Sequence, residues 1–567
     1  MSYALIPLIV VAAVVFLLVS GIREERQRKR ALHARLREGC GKPPRAYGRE
    51  TSVPVFEGKA ENGRFCIDRI TWEELEMDSV FKRLDYTLSQ AGTEYLYRAL
   101  HQPAETAEEV QRWEDAVAYF TTHEEERIRI QEILAAVGKE KGSPFADCLR
   151  AMKARPPEKP IREYGGWVAC LLAGLMAIWA GGPGICLLLF VLIIQMVTYF
   201  SRRAQVLPFL RHIAWLLAMI RSLEQLYHAL PREICRRAEA DSRCSEMAVC
   251  IRKLKRLQRH SFWIRQCRSG NGPLSLLGDY IRMLLHPDIV QFLALQEKIL
   301  SLEEELRAGY AFVGYVDASI SVSLYRMSLD VYCIPTLCGG SGSAGVTVCD
   351  CVHPLLEQPV ANSIVVTETK GILLTGSNAS GKSTFLKTIA VNLLLAQTIH
   401  TALAAAFCAP FCHIFTAMAD GGDLQGGKSS YMAEILSLKR ILDAKREGAL
   451  PVACFVDEIL RGTGSVERIA AAASILRHLG PPEVICFAAT HDRELTWLLE
   501  NEYDTYYFTE EVQGGDMIFP YRLLPGRADT TNAIRLLAAV GYGEEIVEEA
   551  FRRAEEIRGF QAEDIRI

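Results

Sequence analysis

The run Gly376, Ser377, Asn378, Ala379, Ser380, Gly381, Lys382, Ser383 and Thr384 has the residue types and spacing of a phosphate cradle. Glycines let the backbone curl until successive N–H groups face one anion, and a helix opening at the end of the curl adds its dipole. Lys382 would supply a cation to the β- and γ-phosphates of ATP, and the Ser383 hydroxyl a ligand to Mg²⁺. Downstream, the apolar run 452–456 ends in Asp457 and Glu458. Asp457 is placed to hold Mg²⁺, directly or through water, and Glu458 to orient or deprotonate an attacking water. A second apolar run, 484–490, ends at His491, where an imidazole can sense a γ-phosphate. A lone acid or histidine is usually structural. Three polar strand ends in the order expected of one nucleotidase sheet are much harder to assign to chance.

These residues need a particular set of elements to hold them. The apolar run 371–375 precedes the cradle and a helical stretch, 384–397, follows it, which is the strand–turn–helix context that gives the pattern its meaning. Residues 67–160 and 204–332 carry apolar side chains three and four apart with few turn signals, so a mostly helical region precedes the sheet. Within it, 251–268 contains seven basic residues and no acid. Arg252, Lys255, Arg256 and Arg259 share one helical face there, and Leu254 and Leu257 another. A solvated face is the plain reading; a phosphate backbone or an anionic membrane surface is the functional one.

The chain has 567 residues, enough for three or four units at about 150 residues each. Half of them are apolar and 23% are charged, which excludes a disordered or low-complexity protein. Lys and Arg total 64 against 68 Asp and Glu, a net −4 that argues against a uniformly basic nucleic-acid coat. Seventeen scattered cysteines read as a reducing compartment and not a disulfide framework. The mean hydropathy of +0.09 is high for a soluble enzyme.

That excess is localised. Residues 3–20 are uncharged and mostly aliphatic, long enough for a helix of about 27 Å against a hydrocarbon core of ~30 Å. Arg23, Arg26, Arg28, Lys29, Arg30, Arg35 and Arg37 follow the run, as in an uncleaved anchor with its N-terminus outside. Two further apolar arms, 167–180 and 185–200, flank the turn signal 181–184, with Arg155, Lys159 and Arg162 before them and Arg202 and Arg203 after. A membrane hairpin with both flanks cytoplasmic is expected, giving three spans, or one span plus a re-entrant hairpin, in a multi-pass membrane protein whose large segments face the cytoplasm.

Several motifs together resemble the MutS family, ATPases of DNA mismatch repair. They are the cradle with Asn378, the run from Asp457 to Arg461, Thr463 and Ser465, the pair Thr490 and His491, and the segment from Asp420 through Ser429, Ser430 and Tyr431 to Glu434. His353 to Leu355 with Asn362, and Tyr521 to Gly526 with 530–534, match the lead-in and closing segments. More weakly, Ala91, Gly92 and Thr93 are similar to the family's core helical domain, and Tyr315 to Ser319 to its lever helix. The resemblance implies a P-loop NTPase domain of the ABC-like MutS kind, ATP and Mg²⁺ as cofactors, and a homodimer in which Ser429 reaches the partner's ATP. Gly376 to Thr384 and Tyr521 would bind nucleotide, with Lys382, Glu458 and His491 catalytic, and Ser383 and Asp457 on the metal. DNA binding is also implied. Yet only some 45 residues separate the anchor from the helical core, too few for a mismatch-reading domain, and Phe508 and Glu510 lie inside the ATPase domain, where they cannot form its wedge.

The expected organisation is an anchor (1–22), a basic linker (23–66), a helical core (67–163), an inserted hairpin (164–201), a core and lever (202–332) and an ATPase domain (333–567). The rival to a DNA-binding ATPase is an ATP-driven switch or scaffold for a membrane partner. A transport ATPase is disfavoured: the segment 424–428 superficially resembles the transporter signature, but no Pro-Thr-Ser follows Glu458. Cys408, Cys412 and His413 suggest a metal, but their apolar setting reads as strand; Cys349 and Cys351 read as packing residues.

Overall fold

The computed structural model describes residues 5–44, 64–139, 145–155, 160–242, 246–259, 261–265, 273–339, 345–377, 380–418, 430–447, 450–460, 464–481, 483–513, 516–527, 534 and 541–564. The chain divides into two compact units. One holds Met1–Pro44, Asp85–Tyr97 and Asp115–Met327; the other holds Arg45–Leu84, Arg98–Glu114 and Ser328–Ile567.

The first unit is helical, as the periodicity predicts. Its long helices are Leu5–Glu38, Gly182–Ala229 and Glu303–Met327. Helix Glu303–Met327 is buried almost continuously from Phe312 to Arg326. At its middle, the Asp317 carboxylate accepts hydrogen bonds from the Leu88 N–H (3.1 Å), the Ser89 N–H (2.7 Å) and the Ser89 hydroxyl (2.5 Å). It thereby satisfies backbone donors just ahead of helix Gln90–His101, where an anion also meets the helix dipole favourably. Gly92 makes this approach possible, because a Cβ there would overlap the Asp317 side chain. The two helical motifs noted above, around Gly92 and around Asp317, are thus one interaction.

The hairpin is present as two helical arms. Pro160–Ala177 ends in a single 3₁₀ turn, Ile178–Ala180, and Gly182–Ala229 returns. The return helix has 48 residues, about 72 Å at 1.5 Å per residue. Its first part, with Ile185, Phe190, Ile193 and Val197, is exposed, while Leu210, Ile213, Leu217, Ile220 and Leu223 are buried. Among the described residues this is the one helix long and apolar enough to cross a membrane. The first arm contributes only the shorter apolar helix Gly165–Ala177. Where three spans and a multi-pass topology are expected, the described residues offer that single qualifying helix. Residues 3–20 lie largely outside the described side chains, although the backbone is helical from Leu5.

The second unit is α/β. Its main sheet has six strands in the order Leu523–Pro525, Tyr503–Phe508, Gly371–Thr375, Val484–Ala489, Val452–Asp457 and His413–Met418. All neighbours pair in parallel except the first two. Strands 452–457 and 484–489 are buried at every position, as strands covered on both faces must be. A four-stranded sheet runs Thr336–Cys338, Ala406–Pro410, Val346–Cys351 and Asn362–Val366.

Segments 67–84 and 98–114 belong with this sheet unit, although their helical pattern groups them with the helical core. The reason is a set of polar ties. Asp68 caps helix Arg69–Glu74 by accepting from the Thr71 N–H at 2.8 Å, and also receives the Arg440 guanidinium. The Thr71 hydroxyl accepts from the Thr416 N–H in the edge strand.

Two expectations follow. Gly92→Val should displace Asp317 from the Leu88 and Ser89 donors and cost about 2–4 kcal/mol in chemical denaturation. Burial pushes the Asp317 carboxyl up to about 6, against the pull of Ser89 and Leu88. Its folded value exceeds its ordinary one, so its contribution is full below about pH 4 and is lost as pH rises through 6. Denaturation midpoints followed across that range should lose this part of their slope in Asp317→Asn.

Candidate functional site

Strand register assembles the candidate site. Asp457 pairs with Ala489, and Ala489 with Leu374, so three buried strands end in one row. The next residues along each strand are Glu458, Thr490 and Thr375, and all three stand at the carboxyl edge. The Glu458 N–H donates to the Ala489 carbonyl (3.0 Å) and the Thr490 N–H to the Leu374 carbonyl (2.9 Å), extending the ladder one step past the strands. In open α/β sheets this edge is where ligands bind.

From Thr375 the chain turns through Gly376 (φ +142°) and Gly381 (φ +108°) into helix Lys382–Ile399. Both angles favour glycine, and space requires it too: a Cβ on Gly376 would lie 2.8 Å from the Phe508 carbonyl oxygen. Lys382 is buried and donates from Nζ to the carbonyls of Gly376 (2.9 Å) and Ser377 (2.8 Å). Its Nζ lies 3.5 Å from His491 Nε2, and that nitrogen lies 2.7 Å from Glu458 Oε1. Asp457 is buried directly before Glu458. Lys382, Glu458 and His491, distant in sequence, therefore form one continuous polar chain beside the glycine turn. Ser380 to Thr384 lie at the helix start; Asn378, Ala379 and Ser429 lie outside the described residues.

The residues fit a phosphate group. Helix Lys382–Ile399 opens on Gly381 with no side-chain cap on its N–H groups. The Ser380 hydroxyl is buried with no hydrogen-bond partner among the described residues. An ammonium that spends its donors on carbonyls of its own turn completes an anion site. Ser383 and Asp457 supply the hard oxygen donors that suit Mg²⁺.

Several supporting residues escape a reading of local pattern. The Ser377 hydroxyl donates to Glu510 (2.8 Å), which ties the turn to the neighbouring strand end. Glu434 accepts from the Leu460 N–H, in a stretch where Glu458 (φ +51°) and Leu460 (φ +59°) hold backbone angles unfavourable for side chains. Arg468 grips Asp492 with two bonds, 2.9 and 2.6 Å, just past His491. The adjacency of Asp492 to His491 was the available signal for that pair. Asn362 donates to the Tyr521 carbonyl (3.0 Å) and accepts from the Leu523 N–H (2.8 Å), so the lead-in residue moors the closing segment. Tyr521 in turn lies against the glycine turn, 3.1 Å from where a Cβ on Gly381 would stand.

The cysteine and histidine group at 408–413 is packing. Cys412 is buried, its N–H donates to Gln397 Oε1 (2.8 Å), and burial pushes its thiol up to about 12. His413 stacks on Phe65 at 4.1 Å, and burial lowers its imidazole. Among the described residues no cluster of histidine, cysteine and carboxylate side chains is arranged to hold a metal.

Fold and site together define a parallel-sheet α/β unit with a basic glycine turn facing acidic and histidine strand ends. Residues 372–558 match the family model for MutS domain V. The chain is 30% identical over 212 residues to the DNA mismatch repair protein MutS of Desulfitobacterium hafniense, covering 35% of this chain and 24% of that protein. It is 32% identical over 202 residues to MutS of Thermus aquaticus, with the same two shares, 35% and 24%. It is 28% identical over 286 residues to MutS 2 of Haloarcula marismortui, covering 45% of this chain and 29% of that one. The chain thus spans about a quarter of the length of these curated relatives, and its similarity to MutS proteins centres on domain V.

Asn362→Ala removes both ties to the closing segment. The Leu523 amide should then exchange its hydrogen about fivefold to tenfold faster, from the loss of roughly 1 kcal/mol, as measured by peptide-resolved hydrogen exchange.

Proposed function

We propose that the chain is a membrane-held, MutS-like ATPase that binds and hydrolyses ATP at composite sites between two copies and acts on DNA. The observation that carries this reading is the chain from Lys382 through His491 to Glu458 beside an uncapped helix start. ATP and Mg²⁺, when bound, supply the labile phosphate bond and the cation that neutralises its charge.

Each residue then has a task. Backbone N–H groups of 376–384 bind phosphate oxygens, and Lys382 exchanges its two carbonyl partners for them. Ser383 and Asp457 hold the metal. Glu458 orients the attacking water and receives its proton, while His491, in contact with both Lys382 and Glu458, registers whether the terminal phosphate is present. Tyr521, moored by Asn362, borders the nucleotide. Ser429 completes the site of the partner copy, which makes ATP affinity depend on closure; that dependence is what drives a conformational cycle. The exposed apolar part of helix Gly182–Ala229 supports membrane attachment, with the two large units on the cytoplasmic side.

A second reading, a switch for a membrane partner without DNA, draws support from the basic stretch. Lys253 pairs with Glu305 (2.6 Å) and Lys255 with Glu224, and Arg252, Arg256 and Arg259 stand exposed beside them on helix Met247–Arg259. Phosphate release by the purified protein, with and without duplex, mismatched or branched DNA, separates the two readings. Stimulation, with salt-dependent binding whose slope falls when those three arginines are neutralised, supports DNA action; a flat response supports the switch.

Lys382→Ala should abolish turnover, and persistence of activity would overturn the assignment of the turn. Ser429→Ala should retain ATP binding but lose ATP-dependent tightening of the dimer in sedimentation. Unchanged dimerisation and hydrolysis in that variant would count against the composite site.

A further inference from the structure

Two apolar segments far apart in sequence are joined to the same helix. Helix Leu5–Glu38 begins in the aliphatic run 5–20 and continues without a break into its basic part. Near its end, His33 contacts Glu132 (2.9 Å) and Arg37 contacts Glu125 (2.8 Å), both on helix Glu124–Val137. Helix Gly182–Ala229 likewise continues from its apolar start into the core, passing Pro208. There Trp215 Nε1 donates to the Gly138 carbonyl (3.3 Å) and the Ser222 hydroxyl to the Ile133 carbonyl (3.3 Å).

The order of these contacts fixes direction. On the first helix, moving from 33 to 37 descends from 132 to 125. On the second, moving from 215 to 222 descends from 138 to 133. Both therefore run antiparallel to Glu124–Val137 and parallel to one another, so their apolar beginnings project from the same end of the helical unit.

What covers this end can be identified by its chemistry. The hairpin exposes Leu172, Met176, Trp179 (96% exposed), Phe190, Val197 and Phe200 on its two arms. The interval 182–200 would span about 28 Å as helix, close to a hydrocarbon core of ~30 Å. The chain turns basic where each helix leaves its apolar segment, at the exposed Arg23, Arg26 and Arg28 on one and at the half-buried Arg202 and Arg203 on the other. Apolar length bounded by cations matches a bilayer carrying anionic headgroups.

We propose that the N-terminal apolar segment and the hairpin enter one anionic bilayer from the same face of the helical unit, with helix Glu124–Val137 as the strut that holds the two in parallel. Held at two points, the helical unit keeps a fixed orientation to the membrane instead of swinging on a single tether. The inference rests on the membrane attachment proposed above and is independent of the ATP site.

The test uses the full chain, reconstituted into sealed vesicles of phosphatidylcholine and phosphatidylglycerol and treated with a membrane-impermeant maleimide, with labelling read peptide by peptide. Cys170 and Cys186 are native exposed thiols on the two arms, and Cys338 is an exposed thiol of the sheet unit. Gln27→Cys and Ser201→Cys add neutral reporters just beyond each apolar segment. Expected are equal labelled fractions at positions 27 and 201, with Cys170 and Cys186 protected at least tenfold relative to Cys338 until detergent is added. Opposite sidedness of 27 and 201 would overturn the shared face while leaving membrane attachment intact. Labelling of Cys170 and Cys186 as fast as Cys338 in vesicles that retain the protein would show that the hairpin meets a protein partner or solvent instead of lipid. Failure of the protein to associate with vesicles would overturn both the inference and the attachment on which it rests.

Discussion

Pairing of Asp457 with Ala489, and of Ala489 with Leu374, sets the height at which three buried strands stop. A slip of one residue in either pair would turn every side chain of that strand to the opposite face and bring alternating core residues to the edge. The slip is prevented by burial. Every position of strands 452–457 and 484–489 is enclosed, and Phe455 stacks on Phe487 at 5.1 Å between them. Fixed register then delivers Glu458 and His491 to the same edge as the glycine turn. The polar chain at that edge is a consequence of apolar packing beneath it.

The turn itself is held by more than its glycines. Glu510 anchors Ser377, Lys382 closes on the carbonyls of Gly376 and Ser377, and Asn362 keeps Tyr521 against Gly381. The ties come from the helix that follows the turn and from residues at two strand ends. A site supported from several elements is rigid where it must present N–H groups in one geometry, and preorganisation of that kind is the main resource for stabilising charge on a phosphate.

In the helical unit a comparable dependence falls on Asp317. A buried carboxylate costs several kcal/mol unless its oxygens are matched by donors. Leu88 and Ser89 provide those donors, and Gly92 provides the space. The same unit carries a helix whose first part is apolar and exposed and whose second part is core. One uninterrupted helix therefore transmits the constraint of whatever surrounds its exposed part directly into the packing of Ile213, Leu217 and Ile220.

Much of this was legible in the sequence because it is local. The strand–turn–helix around Lys382, the strand ends at Asp457 and before His491, and the helical character of 67–160 and 204–332 all follow from apolar period, glycine placement and short-range order. The apolar arms and their turn were legible for the same reason. Partnership over distance was not. That Asn362 would hold Tyr521, that Glu510 would hold Ser377, and that Lys253 and Lys255 would be neutralised by acids on other helices depends on which side chains the fold brings within 3 Å or so. The assignment of 67–84 to the sheet unit was decided likewise, by Asp68 and Thr71 meeting Arg440 and Thr416. The sequence alone determined which groups are available and on what kind of element each sits. Tertiary structure decided which of them meet, because a hydrogen bond or ion pair exists only at contact, and contact between remote residues is set by the packing of everything between them.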